Sequence, residues 1–292
     1  MTKIPILVIV GPTASGKSAY ALEKAANLGG EIISGDSMQI YRGMDIGTAK
    51  PSTEEMGNIP HHLIDVCDIE EPFSAAKFVT LAAAAIKDIH SRGKMPIIAG
   101  GTGLYIDTLI SGTTLAATED DPELRQRLFE EAELYGAEAL HKKLADIDPK
   151  SAEAIHPNNV KRVVRALEIF YNTGITKTEL DEKSRQTESI YAPHTVYITP
   201  KERDNIYTRI DKRVEVMFQT GLEAEVEALA KRGLRETPTA SQAIGYKEFY
   251  PYFDGECTLD EVKEAICLNT RHYAKRQLTW FNHKHADEII YI

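Results

Sequence analysis

The sequence predicts an α/β fold, a parallel β-sheet with covering helices, interrupted by an all-helical insertion. Three observations carry this. The first hundred residues alternate short β-rich runs with helical stretches, the order that parallel strands and crossover helices require. A glycine-rich turn, GPTASGKS at residues 11 to 18, joins the first apolar run to the first helical stretch. From about Leu115 to Ala192 the pattern becomes helix after helix, with no convincing strand.

Taken in order, Ile6 to Val10 reads as the first strand and Gly16 to Leu28 as the first helix. Glu31 to Ser34, His62 to Val66 and Met95 to Ala99 read as further strands. Between the last two, Ser74 to Arg92 has a serine cap, an alanine-rich interior and Gly93 at its end, which predicts a helix. The insertion opens on the acidic run Glu119-Asp120-Asp121-Pro122-Glu123. After it, His194 to Thr199 returns to the sheet, Asp204 to Lys231 and Leu259 to His283 read as long helices, and Glu288 to Ile292 as a last short strand. The expected organisation is a core of 1–114 with 193–292, and a helical insertion of 115–192.

Composition narrows the class. At 292 residues with 42% hydrophobic content, the chain can fill a core. The three cysteines, Cys67, Cys257 and Cys267, form no CxxC pair, so neither a disulfide framework nor a zinc site is indicated and a reducing cytoplasm fits. The apolar N-terminal run is too short for a signal or membrane segment, so no membrane partner is expected. The net charge of −10 disfavours a nucleic-acid partner on average, since phosphate affinity comes from clustered Lys and Arg. Local clusters have to be judged separately.

Gly11, Pro12, Thr13, Ala14, Ser15, Gly16, Lys17 and Ser18 match GxxxxGK[ST] between a strand and a helix. Backbone N–H groups at such a helix start cradle phosphates, with Lys17 on phosphate oxygens and Ser18 on Mg²⁺. Taken alone, the loop says nucleotide and ATP, on a P-loop NTPase-like sheet. Chance would produce this pattern in roughly 1% of chains this long. An ordinary P-loop NTPase also needs a strand ending in an Mg²⁺-organising acid. Met95 to Ala99 instead runs into Gly100-Gly101-Thr102-Gly103, and His62-Leu63-Ile64-Asp65 is a weaker substitute, so ATP hydrolysis loses ground.

Asp36 follows the second strand, on the edge where parallel sheets bind ligands. Its carboxylate suits a proton acceptor for an attacking amine or hydroxyl, and equally a turn cap or a group that holds Mg²⁺ through water. The GGTG turn either permits close backbone approach to a ligand and presents the Thr102 hydroxyl or is simply a tight turn into a helix. Lys161, Arg162 and Arg165 fall on one side of a helix whose Val163, Val164 and Leu167 face inward; this is either an anion contact or a solvated face. Arg209 and Arg213, at i and i+4, either share an anion or pair with neighbouring acids. Gln242 to Lys247 joins Gly245, Tyr246 and Lys247, a combination suited to stacking on an unpaired nucleotide and equally common in ordinary helices. His283 and His285 have no partner cluster and fit a solvated helix end.

Read together, GPTASGKS, GDSMQIYRGMDIGTAKPS, PHHLID, GGTGLY, HPNNVKRVVRALEI, RIDKRVEVMFQTGLEAEV, QAIGYKE and AKRQLTWF closely resemble the bacterial tRNA dimethylallyltransferase, or tRNA isopentenyltransferase, family. The motifs lie in the family's order and span nearly the whole chain. The resemblance implies transfer of a dimethylallyl group from dimethylallyl diphosphate to N6 of adenosine 37, beside the anticodon of tRNAs that read codons beginning with U. The phosphate loop would then hold the diphosphate of a prenyl donor. By position, Thr13, Lys17 and Ser18 would bind diphosphate and Mg²⁺, Arg213 would neutralise the leaving group, and Asp36 would engage N6. The positions implied for the tRNA anticodon stem-loop are Asp36, Ser37, Met38, Gln39, Thr102, Arg125, Lys161, Arg162, Val163, Val164, Arg165, Gln242, Ala243, Ile244, Gly245, Tyr246 and Lys247. The resemblance further implies a cytoplasmic monomer. Eukaryotic members add a C-terminal zinc-finger module, and the absence of its ligands before Ile292 points to the bacterial type.

Overall fold

The structure is a computed structural model that describes residues 3–112, 121–185 and 188–292. Leu115 to Asp120, the expected start of the insertion, lie outside the described residues. The chain forms two compact units, Met1–Ile110 with Ile190–Ile292, and Ser111–Ser189.

The first unit begins with β1 (Ile4–Val10), α1 (Lys17–Leu28), β2 (Glu31–Ser34), the single turn α2 (Thr53–Met56), β3 (His61–His62), α3 (Ala75–Ser91), β4 (Pro96–Gly100) and α4 (Gly103–Ser111). The second unit is helical: α5 (Pro122–Tyr135), α6 (Ala137–Ile147), α7 (Pro149–Ala154), α8 (Val160–Thr173) and α9 (Lys177–Arg185). The chain returns to the first unit with β5 (Tyr191–Thr199), α10 (Arg203–Gln219), α11 (Leu222–Lys231), three 3₁₀ turns between Leu234 and Phe249, α12 (Tyr250–Phe253), α13 (Leu259–Asn282) and β6 (Glu288–Tyr291).

Among the described residues the six strands form one parallel sheet in the order β3-β2-β4-β1-β5-β6. The period-2 alternation of β1 sorts its side chains between two layers. Ile6, Val8 and Val10 join Phe78, Ala82, Ile86 and Ile89 of α3 and Ile206 and Ile210 of α10. Leu7 and Ile9 face Ala21 and Ala25 of α1, whose small side chains let that helix lie close to the sheet. Registers set the working edge: Val10 pairs with Gly100 on one side and Tyr197 on the other, and Ser34 with Ala99. The loops after β1, β2 and β4 therefore leave the sheet side by side, where open parallel sheets bind ligands.

Ser74 caps α3 through the Lys77 N–H, as expected, and the chain leaves that helix at Gly93 with φ of 71°. Two expectations need correction. The strand expected over His62 to Val66 stops at His62, because Leu63 and Asp65 adopt left-handed φ of 61° and 55° and cannot extend a strand. The single helix expected over Asp204 to Lys231 is two, broken at Gly221, whose φ of 101° ends α10 and lets α11 start in a new direction.

The second unit has its own small core, in which Leu128 of α5, Leu140 and Leu144 of α6, and Val163, Val164 and Leu167 of α8 are buried together. Asp121 starts α5 by accepting from the Leu124 N–H, with Pro122 at the first helical position, where its missing N–H costs nothing.

Candidate active site

The loop from Gly11 to Ser18 begins where β1 ends. Gly11 is dictated by contact: a Cβ there would stand 2.2 Å from the Ile198 carbonyl oxygen of neighbouring β5. Ala14 adopts φ of 61° and Gly16 φ of 88°, left-handed turns of the kind from which anion-binding N–H concavities are built. Gly16 caps α1 with no side-chain hydrogen bond, so the helix start keeps its donors for an anion. Among the described residues the Ser15 hydroxyl oxygen, buried on this wall, has no hydrogen-bond partner.

Three cations close round the loop. Lys17 Nζ donates to the Pro12 carbonyl at 2.5 Å. Burial pushes Lys17 down to about 7, with the Arg213 charge adding to the effect and the Asp36 carboxylate opposing it. Arg213, from α10, donates to Thr13 Oγ1 at 3.1 Å and to the Thr48 carbonyl at 3.2 Å, and its pKa is also lowered by burial. Arg209, one turn earlier, lies over Gly16. Positive charge that is costly to hold in enclosure favours a strongly anionic occupant.

Asp36 stands at the end of β2. Its Oδ1 accepts from the N–H groups of Met38 (2.8 Å) and Gln39 (3.4 Å), so the turn-capping reading is realised. Among the described residues Oδ2 has no hydrogen-bond partner, and Asp36 lines the same cavity as the loop. One oxygen of the carboxylate therefore holds the turn while the other is open to a ligand. Ser37 N–H donates to Thr102 Oγ1 at 3.1 Å, tying this turn to the one after β4. Burial, followed by the Asp36 charge, pushes the Tyr273 hydroxyl of α13 up to about 12, so it remains a neutral donor beside the carboxylate.

The cavity has a volume of about 810 Å³, with Thr13 to Ser18, Asp36 to Gln39, Arg209 and Arg213 on its walls. Ile210, Val214, Met217 and Ile266 supply an apolar side. It therefore offers an anion cradle, an apolar wall and an open carboxylate in one space.

Of the tRNA positions expected, Asp36, Ser37, Met38, Gln39, Gln242, Ala243, Ile244, Gly245 and Lys247 line this cavity, and Thr102 supports it. Tyr246 does not. Its ring is fully buried and its hydroxyl donates to Glu225 Oε1 at 2.6 Å, which removes it from stacking on a nucleotide. Arg125, Lys161, Arg162 and Arg165 belong to the second unit. Arg125 and Arg165 pair with the buried Glu168, at 2.8 and 3.4 Å. Val163 and Val164 are 0% and 1% exposed in that unit's core, so their side chains cannot touch RNA. Helical periodicity had already turned them inward.

Sequence reasoning left Gln277 without a role. Its Oε1 accepts from Thr13 N–H at 2.8 Å and its Nε2 donates to the Gly101 carbonyl at 3.0 Å, joining the loops after β1 and β4. The only signal was its place in AKRQLTWF. Among the described residues no group of three or more His, Cys, Asp or Glu could hold a metal, and His285 instead lies 3.5 Å from Asp287. Nor is any described helix long and apolar enough to cross a membrane.

Residues 39–284 match the IPP transferase family. The tRNA dimethylallyltransferase of Halalkalibacterium halodurans is 50% identical over 282 residues, 97% of this chain and 89% of that protein. That of Bacillus subtilis is 48% identical over 283 residues, with the same coverage. Among solved structures, the full-length tRNA isopentenylpyrophosphate transferase of Bacillus halodurans superposes with a TM-score of 0.72 at 47% identity, covering 99% of this chain and 90% of that one. A eukaryotic dimethylallyltransferase acting on tRNA gives a TM-score of 0.82 at 32% identity, covering 94% and 69%.

Proposed function

The chain belongs to the IPP transferase family, and from that premise we propose that it transfers the dimethylallyl group of dimethylallyl diphosphate to N6 of adenosine 37 in tRNAs that read codons beginning with U. The products are N6-dimethylallyladenosine and diphosphate. The observation that carries this is the placing of the Lys17, Arg213 and Thr13 cradle and the open oxygen of Asp36 on one cavity.

An exocyclic adenine amine is a weak nucleophile, so the step depends on a leaving group that departs easily. The allylic C–O bond breaks and its electron pair stays on the diphosphate. The loop N–H groups, Lys17, Thr13 and Arg213 stabilise that growing charge. The N6 lone pair forms the new C–N bond, and Asp36 Oδ2 orients the amine and takes its proton. The base has to leave the anticodon-loop stack to reach Asp36, at a cost of a few kcal/mol.

The residues present fit a divalent cation shared with the substrate. Ser18 faces the cavity, and with no acidic cluster among the described residues, Mg²⁺ would be held by Ser18 and diphosphate oxygens. Bound there, it would supply further positive charge to the leaving group. Lys161, Arg162, Arg165 and Arg125 serve as contacts to the tRNA backbone, in line with the naming of the relatives for tRNA. The protein acts as a monomer in the cytoplasm.

The test is to incubate the protein with Mg²⁺, dimethylallyl diphosphate and either tRNA or AMP, then measure nucleoside masses after digestion. A dimethylallyl mass gain on the tRNA adenosine is expected. No gain on tRNA refutes the proposal, and gain on AMP alone would reassign the acceptor to the free nucleotide.

A further inference from the structure

Glu225 sits in the first turn of α11, within the GLEAEV segment, and neither the cradle nor the base makes use of it. Its carboxylate meets the loop that follows Met44. Oε2 accepts from the N–H groups of Asp45 (3.1 Å) and Ile46 (2.8 Å). Oε1 accepts from the N–H of Gly47 (3.1 Å) and from the Tyr246 hydroxyl (2.6 Å). Three successive backbone donors and a phenol thus converge on one carboxylate. Three adjacent N–H groups turned to one side form an anion-binding concavity, and here a side chain of the protein fills it.

Such a loop needs support from outside. Ala49 adopts φ of 46°, a conformation that persists in a non-glycine residue only when its surroundings over-determine it. Gly47 admits the Tyr246 ring against the backbone, where a Cβ would stand 2.4 Å from that ring. The loop in turn holds two groups of the active site. The Thr48 carbonyl accepts from Arg213 Nη2 at 3.2 Å and from Gln39 Nε2 at 3.4 Å, and the Ala49 carbonyl accepts from Gln39 Nε2 at 3.2 Å. A shift of the loop would therefore carry away the backbone partner that aims Arg213 at Thr13.

We propose that Glu225 is a positioning residue for the transfer reaction, locking the 45–49 loop so that the Thr48 carbonyl holds Arg213 in place against the diphosphate, with Tyr246 as the second side of the clamp. This rests on the role of Arg213 at the leaving group given above. It also assigns buried Tyr246 a task that nucleotide stacking does not explain.

The test compares wild type, Glu225→Gln, Arg213→Ala, their double variant and Tyr246→Phe. Glutamine matches the shape of Glu225 but turns an NH₂ toward backbone N–H groups, so the concavity loses an acceptor. Expected for Glu225→Gln is a kcat about 10-fold lower or worse, with tRNA Kd within about 2-fold and affinity for inorganic diphosphate several-fold weaker. In the Arg213→Ala background the same change costs about 2-fold or less in kcat and in diphosphate affinity, because the two act as a unit. Tyr246→Phe moves the same quantities in the same direction by a smaller factor. A wild-type kcat in Glu225→Gln, an undiminished effect of that change in the Arg213→Ala background, or a loss of tRNA affinity equal to the loss of kcat overturns the proposal. Should Glu225→Gln fold poorly by circular dichroism, Glu225→Asp, which keeps the charge with shorter reach, carries the same comparisons. A wild-type protein that binds inorganic diphosphate but prenylates no tRNA refutes the reaction alone. The dependence of diphosphate affinity on Glu225 through Arg213 then still decides the positioning role.

Discussion

Replacing Asp36 by Asn separates the turn-holding role of that carboxylate from its proposed role as base. Asn keeps an oxygen where Oδ1 accepts from the Met38 and Gln39 N–H groups, so the turn after β2 survives. At the other position an NH₂, which can only donate, stands where Oδ2 faces the cavity. A well-placed general base is worth about 10²- to 10⁴-fold, so kcat falls by that factor, corresponding to about 3–5 kcal/mol of transition-state free energy. Binding of tRNA to the variant, measured by filter binding, changes by about 3-fold or less, since base transfer and not backbone contact is lost. A second signature follows from charge. The Asp36 carboxylate opposes the lowering of Lys17, so its removal pushes Lys17 further below about 7. In wild type, kcat/KM for the prenyl donor therefore declines as pH rises through about 7, where free Lys17 loses its proton, and in the variant that decline moves to lower pH. Retention of more than about a tenth of wild-type kcat, or a loss of tRNA affinity in step with the loss of turnover, refutes the assignment of Asp36 as base.

Lys17→Met removes a charge that the ligand-free fold holds at a cost: its lowered pKa means the unfolded state binds that proton more readily, so wild-type stability rises with pH from about 7 toward the ordinary lysine range. The variant therefore gains on the order of 1 kcal/mol and a few degrees of Tm near neutral pH by calorimetry, while binding of inorganic diphosphate collapses. Buried Glu31 accepts from Arg92, Lys94 and His62, and these bonds, the Arg92 bond foremost, hold its carboxyl well below the usual carboxylate range. Its stabilising contribution is thus present above the unfolded carboxylate pKa and is lost as pH falls below it, so Glu31→Gln lowers Tm at pH 7 by several degrees and flattens the acid side of the Tm–pH curve. In the helical unit, Val164→Ala lowers the free energy of unfolding by about 1–2 kcal/mol with tRNA affinity unchanged in the folded protein. Arg162→Ala leaves Tm alone and reduces the salt slope of tRNA binding by about 1.

Much of the fold was legible because its signals are local. Glu31 to Ser34 forms the expected strand, and Ser74 and Gly93 bound α3 through a cap and a left-handed turn. The same locality produced the failures. His62 to Val66 is apolar enough for a strand, but the left-handed turns at Leu63 and Asp65 divert it, and Lys50, which bridges Asp65 to Asp45, comes from 15 residues earlier. Tyr246 beside a glycine and a lysine looks like a base-stacking residue until Glu225, 21 residues away, claims its hydroxyl.

Residue types in the chain already specify the cradle. GPTASGKS encodes its own backbone turn, and Asp36 must fall at the edge of the sheet because it directly follows a strand that pairs parallel to its neighbours. Which groups converge there is another matter. Thr13 meets Gln277 across 264 residues and Arg213 across 200, contacts that no helical or strand period records. They arise because the sheet order brings the ends of β1, β2 and β4 together, and because α10 and α13 bury their apolar faces against it. Burial of that kind sets the lowered pKa of Lys17 and the turned-in ring of Tyr246, since desolvation depends on what surrounds a group in space and not on its neighbours along the chain.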